Sequence, residues 1–172
     1  ALRLKPDYAE ACYNMGNALK EQNKLEEAID SYQQALTLKP DYAEAYNNMG
    51  NALKEQNKLE AAIDSYQKAL RLKPDYAEAY YNMGTALQEQ NKLEEAITAY
   101  QKALTLKPDY AEAHNNMGNA LKEQNKFEAA ITAYQQALRL KPDYAEACYN
   151  MGNALKEQNK LEEAIDSYQQ AL

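Results

Sequence analysis

Apolar residues recur along this chain with two spacings, one nested inside the other. Ala11, Met15, Ala18 and Leu19 fall at i, i+4, i+7 and i+8, which is one face of a helix. Leu25, Ala28, Ile29, Tyr32 and Leu36 repeat that pattern further on. Gln22-Asn23-Lys24 separates the two stripes, and Lys39-Pro40 closes the second near Leu38. The pattern predicts a helical hairpin. Asparagine tolerates the left-handed conformation that ends many helices, so Asn23 marks the break. Pro6-Asp7-Tyr8-Ala9-Glu10 predicts the start of the first helix, with Asp7 and Glu10 forming a capping box.

The larger spacing is 34 residues. Proline stands at 6, 40, 74, 108 and 142, glycine at 16, 50, 84, 118 and 152, and methionine at 15, 49, 83, 117 and 151. A fixed period of this size means a solenoid or array. The units are 9–42, 43–76, 77–110, 111–144 and a partial 145–172, with residues 1–8 as the tail of a preceding unit and 1–172 as one array. Residues 1–36 and 137–172 are identical, so a four-unit repeat lies above the single one. Recent tandem duplication or deliberate design explains that identity. A glycine inside each first helix costs about 1 kcal/mol against alanine, which predicts a close helix–helix approach with Ala28 and Ala35 as small partners.

Cys12, Met15, Gly16, Leu19, Ala28, Tyr32 and Pro40 occupy the slots of a known 34-residue signature. On those residues the chain resembles the tetratricopeptide repeat (TPR) family along its whole length. Two slots depart from it: the tryptophan slot holds Cys12, Tyr46, Tyr80, His114 and Cys148, and the tyrosine slot holds leucine. The resemblance implies an all-α, right-handed superhelical solenoid of five stacked antiparallel hairpins. It also implies a concave groove, lined by first helices, that holds a partner segment.

The polar face of each first helix gives that groove its chemistry. Asn14, Asn48, Asn82, Asn116 and Asn150 form one row; Asn17, Asn51, Thr85, Asn119 and Asn153 form another. An amide carries both a donor and an acceptor, so a row of amides can hold a peptide backbone without reading side chains. The first row resembles the asparagine ladder in the repeat region of O-GlcNAc transferases. Repetition of one harmless polar residue by duplication accounts for the rows equally well. Tyr13, Asn47, Tyr81, Asn115 and Tyr149 alternate aromatic and amide, a two-unit texture that duplication of a divergent pair also explains. Lys54 and Lys122, with Lys20 and Lys156, are offset by glutamates, so the groove suits neutral or basic segments. A carboxylate clamp of the kind that grips chaperone C-termini would meet glutamate here.

Charge and composition narrow the function. The net charge of -7 leaves no basic surplus for nucleic acid or anionic membranes. Mean hydropathy is -0.82 and no apolar run is long enough to span a bilayer, so a soluble, cytoplasmic protein is expected. Two cysteines 136 residues apart and one histidine predict neither disulfide, metal site nor cofactor. His114 fills a packing slot, and every glycine stands alone, so no nucleophile pair or phosphate loop is present. The expected role is a non-catalytic protein-interaction scaffold. Two alternatives stand beside it: an engineered or structural array that stacks head to tail through uncapped ends, and the substrate-binding arm of a larger enzyme. For the stacking alternative, Ala164, Ile165, Tyr168 and Leu172 should be partly uncovered.

Overall fold

The computed structural model describes residues 4–172, with side chains from Asp7 onward; residues 1–3 of the expected tail lie outside it. Ten α-helices and no strands are found among the described residues: α1 (Leu4–Glu21), α2 (Leu25–Leu38), α3 (Ala43–Glu55), α4 (Leu59–Leu72), α5 (Ala77–Glu89), α6 (Leu93–Leu106), α7 (Ala111–Glu123), α8 (Phe127–Leu140), α9 (Ala145–Glu157) and α10 (Leu161–Gln170). The chain divides into two units, Ala1–Gln90 and Asn91–Leu172. In the first, α1 pairs with α2 and α3 with α4, and α5 packs on α4; in the second, α7 pairs with α8 and α9 with α10, and α6 packs on α7.

The turns follow from asparagine. Asn23, Asn57, Asn91, Asn125 and Asn159 have φ between 58° and 60°, the left-handed region that a side-chain amide tolerates. At the end of α1 the Asn23 N–H donates to the Lys20 carbonyl at 2.8 Å and the Lys24 N–H to that of Leu19 at 2.9 Å. These two bonds make a Schellman closure, which satisfies carbonyls that the helix leaves open. The same pair recurs after α3, α7 and α9.

Helix starts differ from the capping-box expectation. Tyr42, Tyr76, Tyr110 and Tyr144 are the N-caps of α3, α5, α7 and α9, and none makes a side-chain capping bond. Glu44, where the box would close, instead meets Lys73 at 3.2 Å. Helix α1 starts at Leu4, ahead of Asp7, and continues through Pro6. A proline in the first turn sacrifices no bond, because its N–H would have had no helical partner.

The core lies between successive helices. Ala28, Tyr32 and Leu36 of α2 meet Ala45, Met49 and Ala52 of α3, all at most 7% exposed. Helix α3 is thus buried on two sides: its Ala-Met-Ala stripe against α2, its glycine against α4. The expected close approach at the glycine is present, but its partner is an aromatic ring. A Cβ built on Gly16 would stand 2.6 Å from Cε1 of Tyr32, and one on Gly50 2.6 Å from Cε1 of Tyr66. The glycine makes room for the tyrosine, whose ring is fully buried in both hairpins.

Candidate interaction surface on the first helices

Glu44, Asn48, Asn51 and Glu55 fall at i, i+4, i+7 and i+11 of the chain, so they share one stripe of α3. Glu78, Asn82, Thr85 and Glu89 form the same stripe on α5, and Glu112, Asn116, Asn119 and Glu123 on α7. Each stripe carries carboxylates at its ends and polar groups at its middle. None of these side chains is fully buried.

The Asn17 row is tied to the core. The buried Tyr32 hydroxyl donates to Oδ1 of Asn17 at 2.8 Å, Tyr66 to Asn51 at 2.7 Å, Tyr134 to Asn119 at 2.8 Å and Tyr168 to Asn153 at 2.9 Å. The bond holds the amide oxygen inward. Thr85 breaks the row, its hydroxyl donating to the Asn82 carbonyl at 2.7 Å. Burial pushes the Tyr32, Tyr66 and Tyr134 hydroxyls far above the ordinary tyrosine range, and nearby glutamates add to the effect.

The Asn14 row is largely occupied by contacts between neighbouring hairpins. Asn48 Nδ2 donates to the Tyr13 hydroxyl at 3.0 Å and to Asn17 Oδ1 at 2.9 Å. Asn82 donates to Asn47 Oδ1 at 3.1 Å, and Asn150 to Asn115 Oδ1 at 3.2 Å. Asn116 accepts from Asn115 at 3.3 Å, and Asn14 is exposed.

The alternating slot departs most from its expected place. Asn47 and Asn115 have no exposed surface, so they do not line a groove. Asn47 donates to Asn48 at 3.2 Å and accepts from Asn82. Asn115 also donates to Glu146 at 3.0 Å. A buried amide must satisfy its polar atoms, and neighbouring hairpins supply the partners. Tyr13, half-buried, packs its ring 4.9 Å from that of Tyr42. Tyr81 is half-buried and Tyr149 is exposed. Sequence spacing could not reveal this burial, because the slot borders both the polar stripe and the next hairpin.

Two of the four stripe lysines are engaged within the chain. Lys54 reaches Glu89 at 3.5 Å and Lys20 reaches Glu55 at 3.1 Å, each across one repeat. Lys122 is half-buried. Desolvation would raise the Glu44 carboxyl, but its own backbone N–H and Lys73 outweigh it and hold it below its usual range. His114 places Nε2 3.2 Å from the Pro108 carbonyl. Cys148 is buried, which pushes its thiol up, and Cys12 Sγ lies 3.9 Å from Gln34. At the ends Met15, Ile165 and Leu172 are exposed, whereas Ala164, expected to be uncovered, is 2% exposed because it faces its own hairpin. No described helix is long and apolar enough to cross a membrane.

Paired helices of equal register, glycine-seated tyrosines and polar first-helix stripes define a helical-hairpin repeat protein of the interaction-scaffold class. The model described as TPR repeat matches residues 16–57, 50–91, 84–125 and 118–159, and the one described as tetratricopeptide repeat matches 147–172. The chain therefore belongs to the tetratricopeptide repeat family. No curated protein matches it in sequence. Among solved structures it is similar to MamA, with 27% identity, 91% of each chain covered and a TM-score of 0.85. It is also similar to YrrB, described as a TPR protein with an unusual peptide-binding site, with 28% identity, 93% of this chain and 82% of that one covered, and a TM-score of 0.78. MamA from Desulfovibrio magneticus RS-1 shares the fold at 21% identity, 96% and 93% coverage and a TM-score of 0.89.

Proposed function

We propose that the chain is a non-catalytic module that holds an extended segment of a partner protein across its first-helix stripes. The observation that carries this reading is the anchoring of Asn17, Asn51, Asn119 and Asn153 by tyrosine hydroxyls of the partner helices. A polar side chain held in one orientation loses little freedom when a ligand arrives, so its bond contributes more to affinity. Asn48 and Asn82, tied to the preceding hairpin, act at the edge of the same surface, and Asn14 is open to a ligand. Glutamates at both ends of each stripe favour neutral or basic segments over acidic ones. The similarity to YrrB supports the peptide-holding part of the reading.

Panning a displayed random-peptide library against the full chain tests it. Selected peptides should lose about tenfold or more in affinity to the Asn51→Ala/Asn119→Ala variant. Circular dichroism should show that its helices remain. An absence of binders, or affinity indifferent to both substitutions, would overturn the reading.

A further inference from the structure

We propose that the segment held by the Ala1–Gln90 unit is a proline-rich, polyproline-II-like peptide with a basic side chain at every third position. The inference rests on the groove reading above and names the chemistry of its ligand.

The first argument is spacing. Asn48 of α3 bonds directly to Asn17 of α1, and Asn82 of α5 to Asn47 of α3. Helices in such direct contact have axes about 8–10 Å apart. A polyproline-II helix has three residues per turn and rises about 3.1 Å per residue, so its side chains return to the same face every ~9 Å. It meets α1, α3 and α5 with equivalent positions. A β-strand, with a side-chain period of two and about 3.3 Å per residue, repeats at ~6.6 Å and falls out of step.

The second argument is hydrogen-bond polarity. Oδ1 of Asn17 and of Asn51 is taken by a tyrosine hydroxyl, and neither Nδ2 meets an acceptor among the described residues. These amides therefore offer donors. A proline-rich backbone has carbonyls in excess, because proline has no N–H. It carries acceptors where the surface has donors, and it is already extended, so little ordering cost remains.

The third argument is charge. Glu78 is exposed and makes no ion pair among the described residues. Glu55 and Glu89 pair only with part-exposed lysines, weak contacts that a ligand cation can replace. The two glutamate rows flank the amides, where every third side chain of the ligand arrives.

Fluorescence anisotropy with labelled peptides on the full chain at low salt tests the inference. One peptide is a run of Arg-Pro-Pro triplets. The second has the same composition with its arginines contiguous, and the third carries glutamate for arginine. The triplet peptide should bind about tenfold tighter than the contiguous isomer, and the glutamate peptide not measurably. Glu78→Gln and Asn51→Ala should each weaken the triplet peptide several-fold. Equal affinity for the two arginine isomers would overturn the three-residue period. If the triplet peptide fails while library-selected peptides bind and depend on Asn51, this inference falls and the groove reading survives. If neither binds, both fall.

Discussion

Tyr66 shows how one side chain joins core to surface. Its ring fills the space left by Gly50, and its hydroxyl reaches out to Asn51. Burial raises the hydroxyl's folded-state pKa above the unfolded value of about 10. Tyr32 and Tyr134 are raised in the same way. The folded state then holds these protons more tightly than the unfolded state does, so their contribution to stability is complete below pH ~10 and is lost as pH rises further. In an alkaline titration, tyrosinate absorbance from these residues should appear together with loss of helical circular dichroism. Ionisation of all fifteen tyrosines with helix intact would refute the burial argument. At this scale sequence reading reached the tyrosine and the glycine but not their contact. Spacing shows which residues share a face; it does not show which side chain fills the gap on the partner.

Between helices, the hairpin was legible because each local signal agrees with the next. Apolar spacing, a left-handed asparagine and a terminal Lys-Pro all mark the same boundaries, and the helix ends match them. At α3, α5, α7 and α9 the capping box failed because the chain enters the helix through a tyrosine one residue later than expected. The ring of that tyrosine packs under the preceding lysine, with Lys39 Nζ 4.4 Å from the Tyr42 centroid. The joints between hairpins were the least legible. One type closes with Tyr13 against Tyr42; the other closes with the buried Asn47 amide bridging Asn48 and Asn82. Asn47→Ala leaves those partners unsatisfied in a dry site. It should lower unfolding stability by about 1–3 kcal/mol in urea titration. Asn14→Ala, at an exposed position, should change it by less than about 0.5 kcal/mol. Equal effects would show that the Asn47 network contributes nothing beyond helix propensity.

Across the whole molecule, the two identical segments 1–36 and 137–172 form an internal control. Both close the same tyrosine–asparagine bond, at 2.8 Å and 2.9 Å. Their surroundings differ: Tyr32 is fully buried by α3, whereas Tyr168 is half-buried, and Cys148 is buried where Cys12 is not. Intrinsic amide exchange rates in α2 and α10 are nearly matched by sequence, so any difference in protection reports on neighbouring hairpins. Amides of α10 should exchange at least about tenfold faster than their α2 counterparts, because stability in repeat arrays is largely an interface property. NMR must read this, since the two segments have the same mass. Matched rates would mean that each hairpin is stable alone. The family and the hairpin array were readable from the period; the division of the amides between solvent-facing and joint-forming positions was not, because adjacent slots differ by only one helical position.

The two kinds of joint impose a parity on how such a chain can change length. Removing a single 34-residue module would bring a tyrosine-bearing edge against a partner shaped beside an amide-bearing one. Removing two together would restore the original phase. An odd-step deletion should therefore melt at a lower temperature than an even-step deletion that removes more of the chain.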